Sequence, residues 1–293
     1  MSVAILVLGA TGRVGSLVVR ELAAAGSSVG GLVRDPARAA ALWPAGVHAV
    51  AGDLADAASV RRAMHGVQAV LISSPVHPQL APWQCQAMHA AADAGVRRIV
   101  KLSGSAWTMR PGDCTTIGAA HAAAEAELQA LVAAGRCQGV CIRPNAFLQG
   151  MLGRVVAEAQ AGGRFALALG DARVAFADVR DIAAACAQAL RATAPPAGIE
   201  VTGPAAVGGA DIAVLLQRLL SRPVAYRPIE VAEAIDRARA TGLSAFTLRH
   251  QQEVLLRLRA GAGEPVSAEF QAAVGRTPRT VDAYLAEACA ARA

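Results

Sequence analysis

Residues 3–25 constrain the fold more than any other stretch of the chain. An unbroken apolar run from Val3 to Leu8 is typical of a buried strand, and the turn Gly9-Ala-Thr-Gly12-Arg-Val-Gly15 follows it directly. The next residues, 16–25, form a helical pattern that ends at Gly26. A strand that enters a helix through such a turn predicts a phosphate-binding site, because the first helical turn offers free N–H groups and the positive end of the helix dipole.

Each glycine of this turn has its own physical role in a dinucleotide site. Gly9 allows a tight exit from the strand, Gly12 lets a pyrophosphate approach the backbone, and Gly15 lets the helix pack closely on the sheet. The alternative is a purely structural turn, since any tight strand-to-helix connection favours glycine. We favour dinucleotide binding, because the flanking strand and helix are both in place. The predicted contacts at the turn are Gly9, Thr11, Gly12, Arg13, Val14 and Gly15.

Composition argues against a membrane protein. The chain of 293 residues is 54% hydrophobic but only 3% aromatic, so alanine, valine and leucine must build its core. No apolar run approaches the ~20 residues that span a bilayer. The apolar start lacks a preceding basic segment and leads straight into the glycine turn, which predicts a strand and not a signal peptide. We therefore expect a cytoplasmic protein that does not bind membranes.

Charge and cysteine spacing exclude other classes of protein. The net charge of +6 comes almost entirely from dispersed arginines, with Lys101 as the only lysine, and no basic run is interleaved with aromatic residues. Nucleic-acid binding is therefore not indicated, whereas a mildly basic surface suits a phosphorylated cofactor. The six cysteines lack metal-ligand spacing, so we expect no metal site and interpret them as thiols.

Strand and helix patterns alternate five times in the first half of the chain. This alternation predicts a parallel sheet with crossover helices, an α/β fold with a Rossmann-type doubly wound sheet. We divide the chain into an NAD(P)-binding domain, residues 1–147, and a smaller, mostly helical C-terminal substrate lobe, residues 148–293. Two short apolar runs in the second half, at about 173–177 and 199–202, are expected to return to the main sheet.

The end of the second predicted strand favours NADP(H) over NAD(H). In dinucleotide folds a carboxylate there binds the ribose 2′-hydroxyl of NAD, whereas an arginine accepts the 2′-phosphate of NADP. Arg34 lies about twenty residues beyond the turn. Asp35 beside it is better explained as the N-cap of a helix that begins at Pro36. We predict that Arg34 binds the 2′-phosphate, with Arg13 as a second contact; the alternative for Arg34 is a solvated strand end.

Further cofactor contacts are expected where the other strands end, because open α/β sheets bind ligands at the carboxyl ends of their strands. Asp53 is expected either to reach the adenine edge or to cap the next helix, and the sequence leaves this open. Asn145 and Phe147 follow the sixth predicted strand and are expected to line the nicotinamide end. The remaining predicted cofactor contacts are Leu54, Ser73, Ser74, Pro75 and Ser103.

Together these motifs resemble the NmrA-like family of atypical short-chain dehydrogenases/reductases, which includes bacterial NADPH:quinone oxidoreductases and triphenylmethane reductase-like enzymes. The resemblance is more specific in the first half of the chain. It implies NADP(H) bound across the carboxyl ends of the strands and a substrate held by the second lobe. The segments that carry the resemblance are 9–15, 33–36, 52–54, 71–75, 100–103, His121 with Glu125, 142–147, 176–182 and 201–204.

The resemblance also exposes a departure. Ordinary short-chain dehydrogenases use a tyrosine, and a lysine four residues later on the same helix, to deliver a proton. The helix here carries His121 and Glu125 and no lysine, while Tyr226 and Tyr284, the only tyrosines, fall in the loosely matched lobe. We predict that His121 donates the proton and that Glu125 orients it or raises its pKa by charge. Ser103 is expected to hydrogen-bond the substrate oxygen.

The sequence therefore predicts an NADPH-dependent oxidoreductase that transfers a hydride to a small quinone-like or conjugated apolar acceptor. Two alternatives stay open: an NADP(H)-binding redox sensor without turnover, and a non-redox biosynthetic enzyme on the same fold. Homo-oligomer formation is also open. Candidates for the substrate lining, which core packing explains equally well, are Trp107, Met109, Phe147, Met151 and Phe246.

Overall fold

Seven parallel strands form the main sheet of the computed structural model, which describes residues 3–291. These strands are β1 (Ile5–Val7), β2 (Val29–Val33), β3 (His48–Ala51), β4 (Ala69–Ile72), β5 (Arg98–Leu102), β6 (Gln138–Pro144) and β8 (Gly198–Val201). They lie in the order β3-β2-β1-β4-β5-β6-β8, and every pairing is parallel. The chain thus starts in the middle of the sheet and extends it in both directions, which confirms the predicted Rossmann-type α/β fold.

Helices cover both faces of this sheet and also build the C-terminal lobe. They are α1 (Gly15–Ala24), α2 (Pro36–Ala40), α3 (Ala57–Ala63), α4 (Leu80–Asp93), α5 (Thr116–Ala133), α6 (Leu148–Leu152), α7 (Val155–Gly162), α8 (Val179–Arg191), α9 (Gly209–Leu220), α10 (Val231–Arg239), α11 (Ala245–Arg259), α12 (Glu269–Val274) and α13 (Val281–Ala290). α1 and α8 pack on one face, and α3, α4 and α5 on the other. Among residues 3–291, no helix combines the length and apolar character that a membrane span requires.

Only one of the two runs expected to return to the main sheet does so. β8 pairs with β6, whereas residues 173–177 form no strand and make two isolated bridges, Val174 with Val207 and Phe147 with Ala177. The expectation for 173–177 was wrong, because β8 already occupies the free edge of β6. The segment instead joins two cores, since Val174 packs in the C-terminal lobe and Ala177 packs beneath the sheet.

The C-terminal lobe has its own core around a small second sheet. β7 (Arg164–Leu167) and β9 (Ala225–Pro228) pair in parallel, and Phe165 stacks on Tyr226 with a centroid separation of 5.6 Å. α11 then contacts α5, and α12 returns to pack on α8 and β8. The second half of the chain therefore both completes the main sheet and covers its carboxyl edge near α5.

Candidate active site

The glycine turn between β1 and α1 contains two positions where a side chain does not fit. Gly9 has a φ of +71°, and a Cβ there would lie 2.8 Å from the carbonyl oxygen of Ser73. A Cβ on Gly15 would lie 2.2 Å from the carbonyl oxygen of Gly9, so only glycine lets α1 begin this close to the turn. A Cβ on Gly12 would meet only that same oxygen, at 3.1 Å, so the outer side of the turn is open.

The start of α1 fits the phosphates of a dinucleotide. The helix has no side-chain cap and no acidic residue in its first turn. In the described part of the chain, the backbone N–H groups of Thr11, Arg13 and Val14 have no hydrogen-bond acceptor. Anionic oxygens would satisfy these groups and would be stabilised by the helix dipole. The open backbone at Gly12 leaves room for them.

Two arginines near this turn have no partner within the described part of the chain. Arg34 directly follows β2 and is exposed, and neither its guanidinium nor that of Arg13 has an acceptor among residues 3–291. Arg13 lies beside α6, where a Cβ on Gly150 would be 3.6 Å from its Nη1. Asp35 caps α2, as predicted, because its Oδ1 accepts a 3.0 Å hydrogen bond from the N–H of Arg38. Its carboxylate is thus engaged within the protein, while Arg34 remains available.

The carboxylate of Asp53 does not cap α3. Its Oδ1 accepts a 3.0 Å hydrogen bond from the N–H of Ala55. The cap is Asp56, whose side chain accepts from the N–H of Ala58. The capping alternative for Asp53 was therefore wrong, and its contact with the adenine edge stays a prediction, as does that of the half-buried Leu54.

The end of β4 lies against the glycine turn. Ser73 is half-buried and Pro75 is exposed, while the Oγ of Ser74 accepts a 2.8 Å hydrogen bond from the Nε2 of Gln84. Gln84 is completely buried, and its Oε1 has no partner within the described residues. The sequence analysis missed Gln84, because a glutamine inside a helical pattern is normally a surface residue.

Asn145 is a crosslink at the end of β6. Its Oδ1 accepts hydrogen bonds from the Nε1 of Trp107 at 2.9 Å and from the N–H of Ala146 at 2.8 Å. Its Nδ2 donates to the carbonyl oxygens of Ala175 at 3.0 Å and Gly263 at 2.8 Å. The amide has no hydrogen-bonding capacity left, so its predicted contact with the nicotinamide end is limited to van der Waals contact.

Five polar side chains meet between β5, α5 and β6, and we call them the β5–α5 cluster: Lys101, Ser103, His121, Glu125 and Arg143. Nζ of Lys101 donates to Oγ of Ser103 at 2.9 Å and contacts Nδ1 of His121 at 3.0 Å. Oγ of Ser103 donates to Oε1 of Glu125 at 2.5 Å. Nη2 of Arg143 pairs with Oε2 of Glu125 at 2.5 Å. The cluster unites the three residues predicted to act in catalysis and adds Lys101 and Arg143.

Local geometry brings these side chains together. Lys101 and Ser103 are two residues apart along an extended chain and so point to the same side. His121 and Glu125 are four apart on α5 and share a helical face. Gly104 admits the imidazole, because a Cβ there would lie 2.8 Å from Cδ2 of His121.

Burial and neighbouring charges set the protonation states of the cluster. Burial lowers the pKa of Lys101, which has 0% exposed surface, to about 8. Burial and the charge of Lys101 lower the pKa of His121 well below its ordinary value of 6.5. His121 is therefore neutral at pH 7, and because its Nδ1 accepts from Lys101, its proton lies on Nε2. Burial opposes ionisation of Glu125, but hydrogen bonds from Arg143 and Ser103 outweigh it and lower the pKa of Glu125.

This geometry corrects two predicted roles. Glu125 contacts Ser103 and Arg143, and the pKa of His121 is lowered, so the expectation that Glu125 raises it was wrong. The hydroxyl proton of Ser103 is donated to Glu125 and its oxygen accepts from Lys101, so the Ser103 hydroxyl is not free to donate to a substrate. One signal could have found Lys101: the only lysine of the chain stands inside an apolar strand, where a charge requires a partner.

Comparison with known proteins identifies the family. A family model described as NAD(P)H-binding matches residues 9–192, which include the glycine turn, β2 to β6 and the β5–α5 cluster. The chain belongs to this NAD(P)H-binding family. The matched residues contain every segment on which the resemblance to atypical short-chain dehydrogenases rested except 201–204, and the resemblance is confirmed at this level.

Two curated relatives and one solved structure show what the chain is similar to. The chain is 35% identical over 234 residues, 78% of each chain, to the NAD(P)H azoreductase of Xenophilus azovorans. It is 32% identical over 289 residues, 97% of each chain, to the (4-alkanoyl-5-oxo-2,5-dihydrofuran-3-yl)methyl phosphate reductase of Streptomyces griseus. Its fold matches the NADPH complex of an NADPH-dependent quinone oxidoreductase from Escherichia coli, with a TM-score of 0.83, 24% identity, and coverage of 97% and 99% of the two chains.

In this member of the NAD(P)H-binding family, α5 contains neither tyrosine nor lysine. Tyr226 lies on β9, and its hydroxyl donates to the carbonyl oxygen of Gly170 at 3.0 Å. Tyr284 lies on α13 in the C-terminal lobe. Lys101 instead approaches α5 from β5 and meets it at His121.

The candidate substrate-lining residues occupy different environments. Trp107 lines a cavity, and the Sδ of Met109 lies 3.8 Å from the Oγ of Ser103. Met151 packs against the core of the C-terminal lobe, while Phe147 and Phe246 are half-buried.

Within residues 3–291, no group of three or more His, Cys, Asp or Glu side chains is arranged to hold a metal ion.

Proposed function

We propose that this protein is an NADPH-dependent reductase of a small conjugated acceptor such as a quinone. The observation that carries the proposal is the contact between Lys101 and His121, which lies at the carboxyl end of β5 on the same edge of the sheet as the open glycine turn. The names of the similar reductases support it, because an azo group, an acyl-dihydrofuranone and a quinone are all conjugated acceptors of a hydride.

The proposed chemistry divides between the cofactor and the β5–α5 cluster. When bound, the reduced nicotinamide supplies the hydride. Lys101 donates to Nδ1 of His121 and so keeps the imidazole proton on Nε2, which has no partner within residues 3–291. Nε2 can donate that proton to the acceptor atom as negative charge develops on it. Lys101 then returns a proton to Nδ1, because its pKa of about 8 lies close to neutral pH.

Glu125, Arg143 and Ser103 are positioning residues in this proposal. Arg143 fixes the carboxylate of Glu125, which accepts from Ser103, and Ser103 in turn accepts from Lys101. This chain of hydrogen bonds directs the ammonium group of Lys101 at His121. Loss of Glu125 would therefore act through the orientation of Lys101 and not through direct contact with the acceptor.

The same proposal includes a preference for NADPH. Arg34 has an exposed guanidinium where β2 ends, without an acceptor among residues 3–291, whereas the neighbouring carboxylate of Asp35 is used as a helix cap. An arginine at this position accepts a 2′-phosphate, and a free carboxylate would accept a ribose hydroxyl. We expect Arg34→Ala to weaken NADPH binding about tenfold or more and to leave NADH binding nearly unchanged.

The deciding experiment is a fluorescence titration with NADPH and NADH, followed by addition of a panel of quinones while absorbance at the NADPH band is recorded. Tight NADPH binding with oxidation by a quinone is the expected result. Arg191→Ala serves as a matched control for Arg34→Ala, because Arg191 is an exposed arginine of α8 far along the chain. Tight binding without oxidation by any acceptor would replace the reductase with a redox sensor, and equal losses of both nucleotides in Arg34→Ala would remove the cofactor preference.

A further inference from the structure

A cavity of about 320 Å³ opens between the segment that follows β5 and the carboxyl end of α11. Its volume is in the range of small-molecule sites. Its lining combines one aromatic ring, three charged side chains and a short stretch of small residues. The lining residues are Trp107, Arg110, Asp113, Arg257 and 260–262.

The cavity adjoins the β5–α5 cluster. Trp107, Met109 and Arg110 lie on one short segment that begins just after Ser103. The Sδ of Met109 is 3.8 Å from the Oγ of Ser103, and Trp107 and Arg110 line the cavity. The segment is held in place, because the Nε1 of Trp107 donates to Asn145 at 2.9 Å. This segment therefore connects the β5–α5 cluster to the cavity.

The charges of the lining favour an anion. Nη2 of Arg257 donates to the carbonyl oxygen and to Oδ1 of Asp113, at 2.7 and 2.6 Å. Nε of Arg257 is buried and has no acceptor within the described residues. Arg110 is exposed and its guanidinium has no partner among residues 3–291. Two guanidinium groups thus face one carboxylate, and a buried N–H group lacks the acceptor that such groups require.

We propose that this cavity binds an acidic substituent of the acceptor, a sulfonate, carboxylate or phosphate, through Arg110 and Arg257. The acceptor's ring lies along Trp107. The inference rests on the proposed function, since it names the class of acceptor that the same site reduces. Asp113 weakens the subsite, because it shares Arg257 with the ligand, so its removal strengthens anion binding.

Binding without turnover tests the subsite by itself. Calorimetric titrations with naphthalene-2-sulfonate and its neutral sulfonamide are made on the full chain saturated with NADP⁺, which also keeps the ligands from competing for the phosphate sites. We expect the sulfonate to bind about tenfold more tightly than the sulfonamide. Arg110→Ala should reduce this preference to about threefold or less, Asp113→Asn should raise it, and the control Arg191→Ala should leave it unchanged.

Kinetics then link the subsite to the acceptor. The ratio of kcat/KM for 1,2-naphthoquinone-4-sulfonate to that for 1,2-naphthoquinone should fall in Arg110→Ala through the KM of the sulfonate, and the control Arg191→Ala should keep the ratio of the native protein. If neither quinone is reduced but sulfonate binding still depends on Arg110, the proposed function fails and the subsite stands. Equal affinity for sulfonate and sulfonamide, or weaker sulfonate binding in Asp113→Asn, would overturn the subsite whether or not quinones are reduced.

Discussion

Nζ of Lys101 lies 3.0 Å from Nδ1 of His121, although the two side chains come from β5 and α5. The pair combines a lysine whose pKa burial lowers to about 8 with a histidine that burial keeps neutral. An ammonium group of this acidity can give up a proton near neutral pH, whereas an ordinary lysine cannot. In the proposed reductase, this pair takes the place of the helix tyrosine and lysine of an ordinary short-chain dehydrogenase as the source of the proton.

Turnover should depend on pH through Lys101. Above about pH 8 the ammonium group loses its proton, so kcat at saturating NADPH should fall about tenfold per pH unit. Lys101→Arg keeps a positive charge beside His121, but an arginine side chain cannot release a proton. The kcat of this variant should therefore be low at every pH and should not show the fall above pH 8. A profile measured from pH 6 to 10 that stays flat above pH 9 in the native protein would exclude Lys101 as the proton source.

Acid should destabilise the protein through its buried histidines. Burial lowers the pKa of His121 and also that of His250 on α11. Below about pH 6.5 the unfolded chain binds more protons at these positions than the folded chain, so the stability present above that pH is lost as pH falls. The Tm should drop by about 2–4 °C per pH unit through His121, whose pKa lies well below its ordinary value, and by less through His250.

The matched variant for this measurement is His121→Gln, which does not titrate. Its Tm should vary less steeply between pH 6.5 and 5 than that of the native protein. An unchanged slope would mean that His121 is protonated in the folded state at acidic pH and that its neutral form is not enforced by the fold.

Substitution by alanine should have different effects at two positions of the glycine turn, Gly12 and Gly15. Gly15→Ala would place Cβ against the Gly9 carbonyl oxygen at 2.2 Å, so the turn must move and the Tm should fall. Gly12→Ala meets that oxygen at 3.1 Å and otherwise open space, so its Tm should stay within about 2 °C. NADPH affinity should nevertheless fall at least about tenfold in Gly12→Ala, because its methyl group occupies the approach of the pyrophosphate.

Unfolding and nucleotide titrations on the two variants separate these effects. A Gly12→Ala protein that binds NADPH like the native protein would mean that the phosphates do not approach this side of the turn.

Asn145 should matter for stability more than for binding. Asn145→Ala removes four hydrogen bonds and leaves the indole N–H of Trp107 and the backbone N–H of Ala146 without acceptors, so the free energy of unfolding should fall by about 3 kcal/mol. The carbonyl oxygens of Ala175 and Gly263 each keep one backbone N–H donor. Asn145→Asp should be at least as unstable at pH 7, since its carboxylate would face the carbonyl oxygens of Ala175 and Gly263. Urea denaturation, monitored by tryptophan fluorescence, measures the free energy of unfolding of both variants. A decrease below about 1 kcal/mol in either variant would mean that the hydrogen bonds of Asn145 do not stabilise the fold.

The sequence predicted the fold well wherever the structure of a segment depends on residues within that segment. The turn from Gly9 to Gly15 and the cap at Asp35 depend on backbone freedom and on bonds within a few residues. The run at 173–177 has the pattern of a strand, but whether it enters a sheet depends on a free edge, and β8 occupies that edge. Asp53 and Asp56 show that a helix cap can also be ambiguous in the sequence. Either aspartate is a suitable N-cap for α3, and only the observed hydrogen bonds distinguish them.

The candidate site was only partly predictable for the same reason. The spacing of His121 and Glu125 gives their common face on α5 directly. Lys101 and Arg143 come from two strands, and their contact with α5 depends on how the sheet packs against it. A sequence pattern also does not show whether a polar group is already satisfied, so Asn145 and Ser103 resembled free ligands until their partners were known.

The last strand of the main sheet, β8, lies beyond residue 147, and so does α8, one of the helices that pack on one face of the sheet. A fragment that ended there would expose the edge of β6 and the apolar side chains of Val140 and Ile142, which invites aggregation. Residues 1–147 are therefore not expected to fold stably on their own. Recombination between homologues therefore keeps the sheet intact only where β8, α8 and α12 stay with the strands that they complete.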